Sequence, residues 1–219
     1  MRKPNPSPAR AIGLLAALAI VGAGCSVLPE RVPTQVFAPT HAPVAVGADW
    51  PAVDWALLVA KPSASQQIDS ERIGVRPDDA AVQVYQAASW SDPATDLVQT
   101  ALVRGFQDSG RILAVARPGS GVRGDYSLQT EVRSFTSVYA GGTPQAVVEI
   151  HARLVHPADG RVVAAQLFRE VEPAAGTDVA QVVGAFSRAL DRTRDRMIGW
   201  TLTAGQAHAA SNRATAQSR

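Results

Sequence analysis

The sequence predicts an α+β fold in which an antiparallel β-sheet carries two amphipathic helices, all within a single domain. Several segments alternate between apolar and polar residues, which is typical of strands that bury one face. Two other segments repeat their apolar residues at helical spacing. The segments follow one another in the order strands, helix, strands, helix. Consecutive hairpins together with amphipathic helices favour helices packed on one face of an antiparallel sheet.

Three short strands are predicted before the first helix. Residues 55–59 form an apolar run that a Lys-Pro pair ends, which indicates a buried strand. Residues 72–76 and 81–85 are strand-like segments on either side of a turn that contains Pro77. We therefore expect the second and third strands to pair as a hairpin.

The first helix is predicted directly after the third strand. Ser91 or Asp92 can cap its start, and Pro93 suits the first turn because its missing N–H would have no partner there. Gly110 is a typical helix stop, and residues 112–116 form the next predicted strand. The apolar stripe of this helix consists of Leu97, Val98, Ala101, Leu102 and Phe106.

Three longer strands are predicted after that. Residues 126–132 alternate strictly in polarity, but the alternation slips at residues 134–135, which indicates a β-bulge. Residues 148–154 alternate in the same way. A hairpin signal at residues 158–160 connects them to a returning strand at residues 161–171.

The last predicted element is a helix that starts near Asp178. The folded domain is predicted to span residues 54–203. Residues 204–219 are rich in Ala, Ser, Gln and Asn and lack apolar periodicity, so we predict a disordered tail. The apolar face of the helix consists of Val179, Val182, Val183, Phe186, Leu190 and Met197.

The single cysteine, Cys25, lies at the end of a predicted secretion signal, residues 1–24. A basic start precedes an uncharged apolar run, and this run is too short for a permanent transmembrane helix. A cysteine directly after small residues resembles the bacterial lipobox, although Gly22 stands where that motif usually has an aliphatic residue. The resemblance implies that Cys25 receives a diacylglycerol thioether. Ordinary signal cleavage beside a free thiol is the alternative.

Removal of the signal would change the charge balance. The chain has 21 Lys and Arg and 19 Asp and Glu, and the signal holds three of the basic residues and no acidic one. The mature chain would therefore carry 18 basic and 19 acidic residues. It shows no clustered basic charge of the kind that binds nucleic acid or an anionic membrane. With Cys25 lipidated, no disulfide can form within the chain, so the fold depends on its core.

Residues 25–53 are predicted to be the lipidated cysteine and a proline-rich tether. Prolines recur between Pro29 and Pro51, and they remove backbone donors and favour extended chain. At about 3.1 Å per residue, such a tether reaches on the order of 75 Å. It would let the domain stand away from the bilayer.

The chemical motifs of the chain have better structural explanations. Residues 119–124 match G-x-G-x-x-G, but a strand is predicted to follow, whereas a dinucleotide site needs a helix there. His41 and His208 fall in the tether and the tail, and His151 and His156 point to opposite faces of one strand. No metal, no cofactor and no catalytic residue is therefore assigned.

The sequence predicts that the protein is not an enzyme. It contains neither G-x-S-x-G nor H-E-x-x-H. Capping and turn roles explain the acidic residues of its loops. A secreted hydrolase whose catalytic acids lie far apart in the sequence is the alternative.

Trp90 is a candidate contact residue. It lies between a predicted strand, which ends at Tyr85, and the first helix. A structural explanation is a hydrophobic staple, in which an apolar residue before a helix packs on its first turn. The functional explanation is a groove for a partner or a lipid.

Five different short motifs are spread along residues 54–200. They are Leu57-Leu58-Val59, Asp69-Ser70-Glu71-Arg72-Ile73, Val84-Tyr85, Trp90-Ser91-Asp92-Pro93 and Asp108-Ser109-Gly110. With these motifs the chain resembles the ABC-type transport auxiliary lipoprotein family. The resemblance adds Arg72 and Tyr85 to Trp90 as candidate contacts with a partner or a lipid.

The resemblance implies a role that is not catalytic. Members of this family accompany an MCE-domain protein and the permease or ATPase of an ABC-type system, which moves phospholipids or other apolar molecules across the periplasm. Ser26 after Cys25 favours the outer membrane over the inner membrane. Some members form rings, which leaves a homo-oligomer open. The alternative is a structural or assembly lipoprotein of the outer membrane without a transport role.

Overall fold

Nine strands and two helices make up the part of the chain that the structure describes. The computed structural model describes residues 33–78 and 81–218, and Thr34–Arg219 form one compact unit. The α+β class and the order of strands, helix, strands, helix are confirmed. The strands are β1 (Gln35–Phe37), β2 (Val53–Val59), β3 (Ser63–Ala64), β4 (Arg72–Arg76), β5 (Gln83–Trp90), β6 (Ile112–Ala116), β7 (Tyr126–Ala140), β8 (Thr143–His156) and β9 (Arg161–Pro173), and the helices are α1 (Ala94–Asp108) and α2 (Val179–Gln217).

β7 is the central strand of one mixed sheet. It pairs antiparallel with β8 along nearly its whole length, and β8 pairs antiparallel with β9. The other edge of β7 is shared in turn by β2, β3 and β4, which all run parallel to it. β6 extends the sheet beyond β2, while β5 and β1 extend it beyond β4. The sequence did not predict the parallel pairs, because alternating polarity does not encode strand direction and these strands are distant in sequence.

Two irregularities interrupt the strands. The register between β7 and β8 shifts between Val132 and Ser134, which confirms the predicted bulge. The β4–β5 hairpin is confirmed as well, but β5 runs on to Trp90 instead of ending at Tyr85. Its register with β4 shifts, and Ala87 has a φ of 54°. A bulge of this kind breaks the alternation that defined the predicted strand.

Both helices pack against the sheet and contact each other. The predicted cap at Ser91 or Asp92 is wrong, because α1 has Pro93 as its N-cap residue and proline has no side-chain acceptor; the Ser91 hydroxyl donates to Asp92 at 3.0 Å. The core beneath the helices centres on three aromatic rings, whose centroids lie 4.9 to 5.5 Å apart. These rings belong to Trp90 of β5, Phe135 of β7 and Phe186 of α2.

The C-terminal end of α2 corrects the predicted disordered tail. The sequence predicts disorder from residue 204, but α2 continues to Gln217. A Cβ at Gly205 would clash with the Trp55 indole, and the Gly205 carbonyl accepts a hydrogen bond from the Tyr126 hydroxyl at 3.2 Å. Alanine-rich sequence forms helix readily even without apolar periodicity. A helix that is already nucleated on the core extends through such residues easily.

Residues 38–50, which we call the strap, correct the predicted tether. The sequence assigns residues 25–53 to an extended linker, but the strap is bound along α2. Prolines remove some backbone donors from this segment, and three of its remaining N–H groups find acceptors on side chains of the helix. Thr40 donates to Ser187 at 3.1 Å, Ala42 to Asp191 at 2.9 Å and Ala45 to Asp195 at 3.1 Å. The folded domain therefore begins earlier than residue 54.

Arg194 of α2 connects the strap to the helix. Its buried guanidinium donates to Asp191 at 2.9 Å, to Asp195 at 2.8 Å and to the carbonyl of Ala42 at 3.1 Å. On the α1 side, a Cβ at Gly105 would clash with the Arg194 side chain. The glycine thus gives this arginine the space that it occupies between the two helices.

Candidate functional site

A groove of about 890 Å³ lies on the face of the sheet opposite the aromatic core. Strands β4 and β5 on one side and β7, β8 and β9 on the other form its floor, and residues 65–70 form one wall. Its volume is within the range of about 300–1,000 Å³ that is usual for small-molecule sites. We therefore take this groove as the candidate functional site.

One end of the groove is charged. Ser134, Glu149 and Arg169 face one another across β7, β8 and β9, and Arg72 and Arg133 also line the groove. We call these five residues the polar row. The Nε of Arg169 is 3.2 Å from the Glu149 carboxylate, and Arg133 is paired at 3.2 Å with a glutamate of its own strand. With three arginines and one carboxylate, the polar row has a net positive charge.

The neighbouring row of the groove is mainly apolar. Val84, Gly74, Thr136, Val147 and Val171 lie side by side across β5, β4, β7, β8 and β9, and we call them the apolar row. Val84 and Val171 are 42% and 36% exposed, so apolar surface faces solvent here. Gly74 leaves space in the middle of the row, because it has no side chain.

The structure separates the three contact residues that the sequence proposes. Arg72 lines the groove with an exposed side chain. Tyr85 is half-buried and hydrogen-bonds to Ser137 at 3.2 Å, and burial raises the pKa of its hydroxyl to about 12. Trp90 is 1% exposed and packs on Phe186 in the core. A partner contact through Trp90 is therefore corrected to a structural role, because its ring has no surface to offer.

Sequence reasoning missed most of the groove. The sequence patterns assigned none of Arg133, Arg169, Val147 and Val171 to a site. A signal was present, since an arginine and a valine at positions 169 and 171 share one face of β9. Only the register of β7, β8 and β9 shows that these residues are neighbours.

The described lining of the groove has few of the titratable side chains that catalysis requires. Its described lining residues include one carboxylate and no histidine or cysteine, whereas general acid–base catalysis needs positioned titratable groups. Within residues 33–78 and 81–218, no group of three or more His, Cys, Asp or Glu side chains could hold a metal ion. Residues 119–124 lie between β6 and β7, so a strand follows the glycine motif, as predicted.

A second polar cluster lies where α2 crosses the start of β7. The Tyr126 hydroxyl is 3.0 Å from Nδ1 of His208, and the rings of His156 and His208 lie 5.2 Å apart. His156 hydrogen-bonds to Asp159 at 2.8 Å, which lowers the pKa of that carboxyl. Burial lowers the pKa of His208, and the charges of His156 and Arg161 add to this effect against the opposing Asp159.

The lowered pKa of His208 predicts a loss of stability in acid. Its contribution is fully present above the usual histidine pKa of about 6.5. As the pH falls through that value, the unfolded chain takes up a proton that the folded chain resists, and the contribution is lost by the time the pH passes the lower pKa of the folded state. In urea unfolding at about pH 7.5 and about pH 5.5, the wild type should therefore lose more stability than His208→Gln.

The matched control is His151→Gln, since His151 lies on β8 outside this cluster. This variant should keep the pH dependence of the wild type. If His208→Gln also kept it unchanged, the cluster would not be a source of the pH dependence.

The predicted signal peptide and Cys25 lie outside the described residues, so lipidation stays a prediction. Neither helix of the described part is long and apolar enough to cross a membrane.

Comparisons with known proteins give a consistent result. The family model of the ABC-type transport auxiliary lipoprotein component matches residues 37–198. The crystal structure of protein XCC0632 from Xanthomonas campestris, a DUF330 protein, is 46% identical to this chain; the match covers 81% of this chain and 99% of that one, with a TM-score of 0.77. The crystal structure of an uncharacterized protein shares the fold at 12% identity and a TM-score of 0.61, over 76% of this chain and 97% of that one.

A curated relative is the uncharacterized protein bll6063 from Bradyrhizobium diazoefficiens. It is 27% identical over 150 residues, which are 68% of this chain and 40% of that protein. The chain thus spans about two fifths of the length of this relative.

Proposed function

The chain belongs to the family of ABC-type transport auxiliary lipoprotein components, and from this we propose that it is an accessory component of an MCE-type system that moves lipids or other apolar molecules across the cell envelope. Its partners would be an MCE-domain protein and the permease or ATPase of that system. Cys25 would carry the lipid anchor. The domain would face the periplasm, at the outer membrane rather than the inner membrane.

The observation that carries this proposal is the family match, which covers nearly the whole folded domain. The family is one of transport auxiliary proteins and not a known enzyme family. The groove supports a binding role, because its described lining combines arginines with exposed valines and lacks a pair of acid and base groups. We propose accordingly that the protein binds and positions its partners without catalysing a reaction.

Replacing Cys25 with Ala should release the protein from membranes. The diacylglycerol thioether cannot form without the thiol, and no helix of the described part could replace the anchor. Membrane fractionation measures the release, and Ser26→Ala is the matched control that should stay membrane-bound. Unchanged membrane attachment of Cys25→Ala would contradict the lipid anchor.

The same variants test the transport role in cells. Deletion of the gene should disturb the lipid balance of the envelope, and the wild-type gene should restore it. Cys25→Ala should fail to do so at equal expression, because the domain would no longer be held near the membrane. An undisturbed lipid balance after deletion would contradict a role in lipid transport.

A further inference from the structure

We propose that the groove binds a phospholipid, whose phosphate lies on the arginines of the polar row and whose acyl chain lies on the apolar row. The inference rests on the proposed function, since it names a ligand for the same domain. The observation that supports the proposal is that the polar row and the apolar row lie side by side. Strand register places a cationic row next to an apolar row on one face of the sheet, and an amphiphile presents an acidic head next to an apolar chain.

The polar row suits a phosphate. A guanidinium offers five N–H donors in a planar fork that matches phosphate oxygens in a bidentate manner. The pairing of Arg169 with Glu149 involves its Nε, and half of the Arg169 side chain stays exposed, so its outer N–H groups can still donate. Arg72 and Arg133 are exposed too and line the same groove. Charge-assisted contacts of this kind are among the strongest hydrogen bonds in proteins.

A phosphate alone would not cover the apolar row. Free phosphate would leave Val84 and Val171 in water, and exposed apolar surface in a concave site indicates an apolar ligand. Val82 and Val138 lie beyond the apolar row, where Arg76 and Gln145 flank Val138 and end the apolar surface. The gap above Gly74 gives a chain room to lie across the strands.

The position of the groove disfavours a peptide as its occupant. A partner peptide that adds a strand binds the edge of a sheet, whereas this groove lies on a face. The inner floor strands β4, β7 and β8 are paired in the sheet on both sides, so a ligand on this face has to be held through side chains. The polar wall at Gln66 and Gln67 offers side-chain amide groups to the ester oxygens of a lipid.

Photocrosslinking of the full-length protein in cells tests this proposal. The photoreactive amino acid p-benzoyl-phenylalanine is placed at Val84 or Val171, and the phospholipids are labelled with radioactive phosphate. The matched control position is Val162, an exposed valine at the other end of β9 and outside the groove. Irradiation should yield a labelled adduct at the two groove positions and little at the control. Mass spectrometry of the adduct then has to show acyl chains, which distinguishes a lipid from other phosphate compounds.

Two sets of variants test the two halves of the ligand. Arg72→Gln combined with Arg169→Gln should weaken labelling at Val84 by about tenfold or more, because both substitutions remove charge-assisted hydrogen bonds to the phosphate. Arg153→Gln, on the exposed surface of β8 outside the groove, is the matched control for charge. Gly74→Leu should block labelling while the protein stays folded, because a Cβ there meets only the Thr136 side chain at 3.7 Å.

Each outcome decides the proposal. Labelling in the groove that depends on the arginines and on Gly74 supports a phospholipid. No labelled adduct at Val84 or Val171 in folded protein would overturn it, as would equal labelling at Val162 or an adduct with a protein alone. The proposed function is measured separately, by recovery of the transport partners, so either claim can fail while the other stands.

Discussion

Replacing Phe186 with Ala should lower the free energy of unfolding by about 3–5 kcal/mol. Phe186 is fully buried, and its ring lies 5.2 Å from that of Trp90 and 4.9 Å from that of Phe135. Truncation removes the side chain through which α2 contacts β5 and β7, and it leaves a cavity that rigid strands cannot close. In a domain of this size, such a loss lowers the melting temperature by about 10 °C.

The matched control for Phe186→Ala is Leu113→Ala. Leu113 is also a large apolar residue, but its side chain is 72% exposed at the edge strand β6. Its truncation should change stability by no more than about 0.5 kcal/mol. Urea denaturation of both variants gives the comparison. A similar small effect for both would mean that α2 does not pack on the sheet through this face.

Replacing Arg194 with Met should cost about 3 kcal/mol of stability and free the strap. Removing one member of a buried ion pair leaves the partner charge without compensation, which is strongly destabilising. Here Asp191 and Asp195 would lose their shared guanidinium, and the Ala42 carbonyl would lose its donor. Amide hydrogen exchange at Ala42 and Ala45 should therefore accelerate together with the drop in stability.

Arg213→Met is the control on the same helix. Arg213 is exposed near the C-terminal end of α2, and its guanidinium lies 3.7 Å from the carboxylate of the exposed Asp54 of β2. Surface pairs of this kind contribute little, so stability should change by less than about 1 kcal/mol and the strap should stay protected. Unchanged exchange in the strap of Arg194→Met would show that the arginine does not hold it.

The sequence predicted the elements whose patterns are local. The helical stripe ending at Phe106, the β4–β5 hairpin and the bulge after Val132 are all present, because periodicity and turn residues specify them within a short window. The predictions for the strap and for the end of α2 were wrong for the opposite reason. Proline spacing and alanine-rich composition describe a segment alone, whereas the strap and the helix end are ordered by contacts with residues distant in the chain, such as Asp191 and Tyr126.

The candidate site was harder to predict than the fold. Arg72 lies in the groove, as the prediction of a contact residue requires. Trp90 was predicted because it is a large aromatic residue before a helix, but its ring is buried in the core. The groove is formed across five strands, and the parallel pairing of β4 with β7 joins the β4–β5 part of its floor to the β7–β9 part. Pattern reasoning on single strands cannot bring Arg72 and Arg169 to one surface, because that requires the strand order.

We propose that this protein works as an accessory of an ABC-type transport system. The most direct measurement is affinity purification of the full-length, lipidated protein from detergent-solubilised membranes, with mass spectrometry of the proteins that accompany it. We expect an MCE-domain protein to be recovered together with its permease or ATPase. Recovery of outer-membrane assembly factors or peptidoglycan alone, without any transport component, would contradict this role and support a structural lipoprotein.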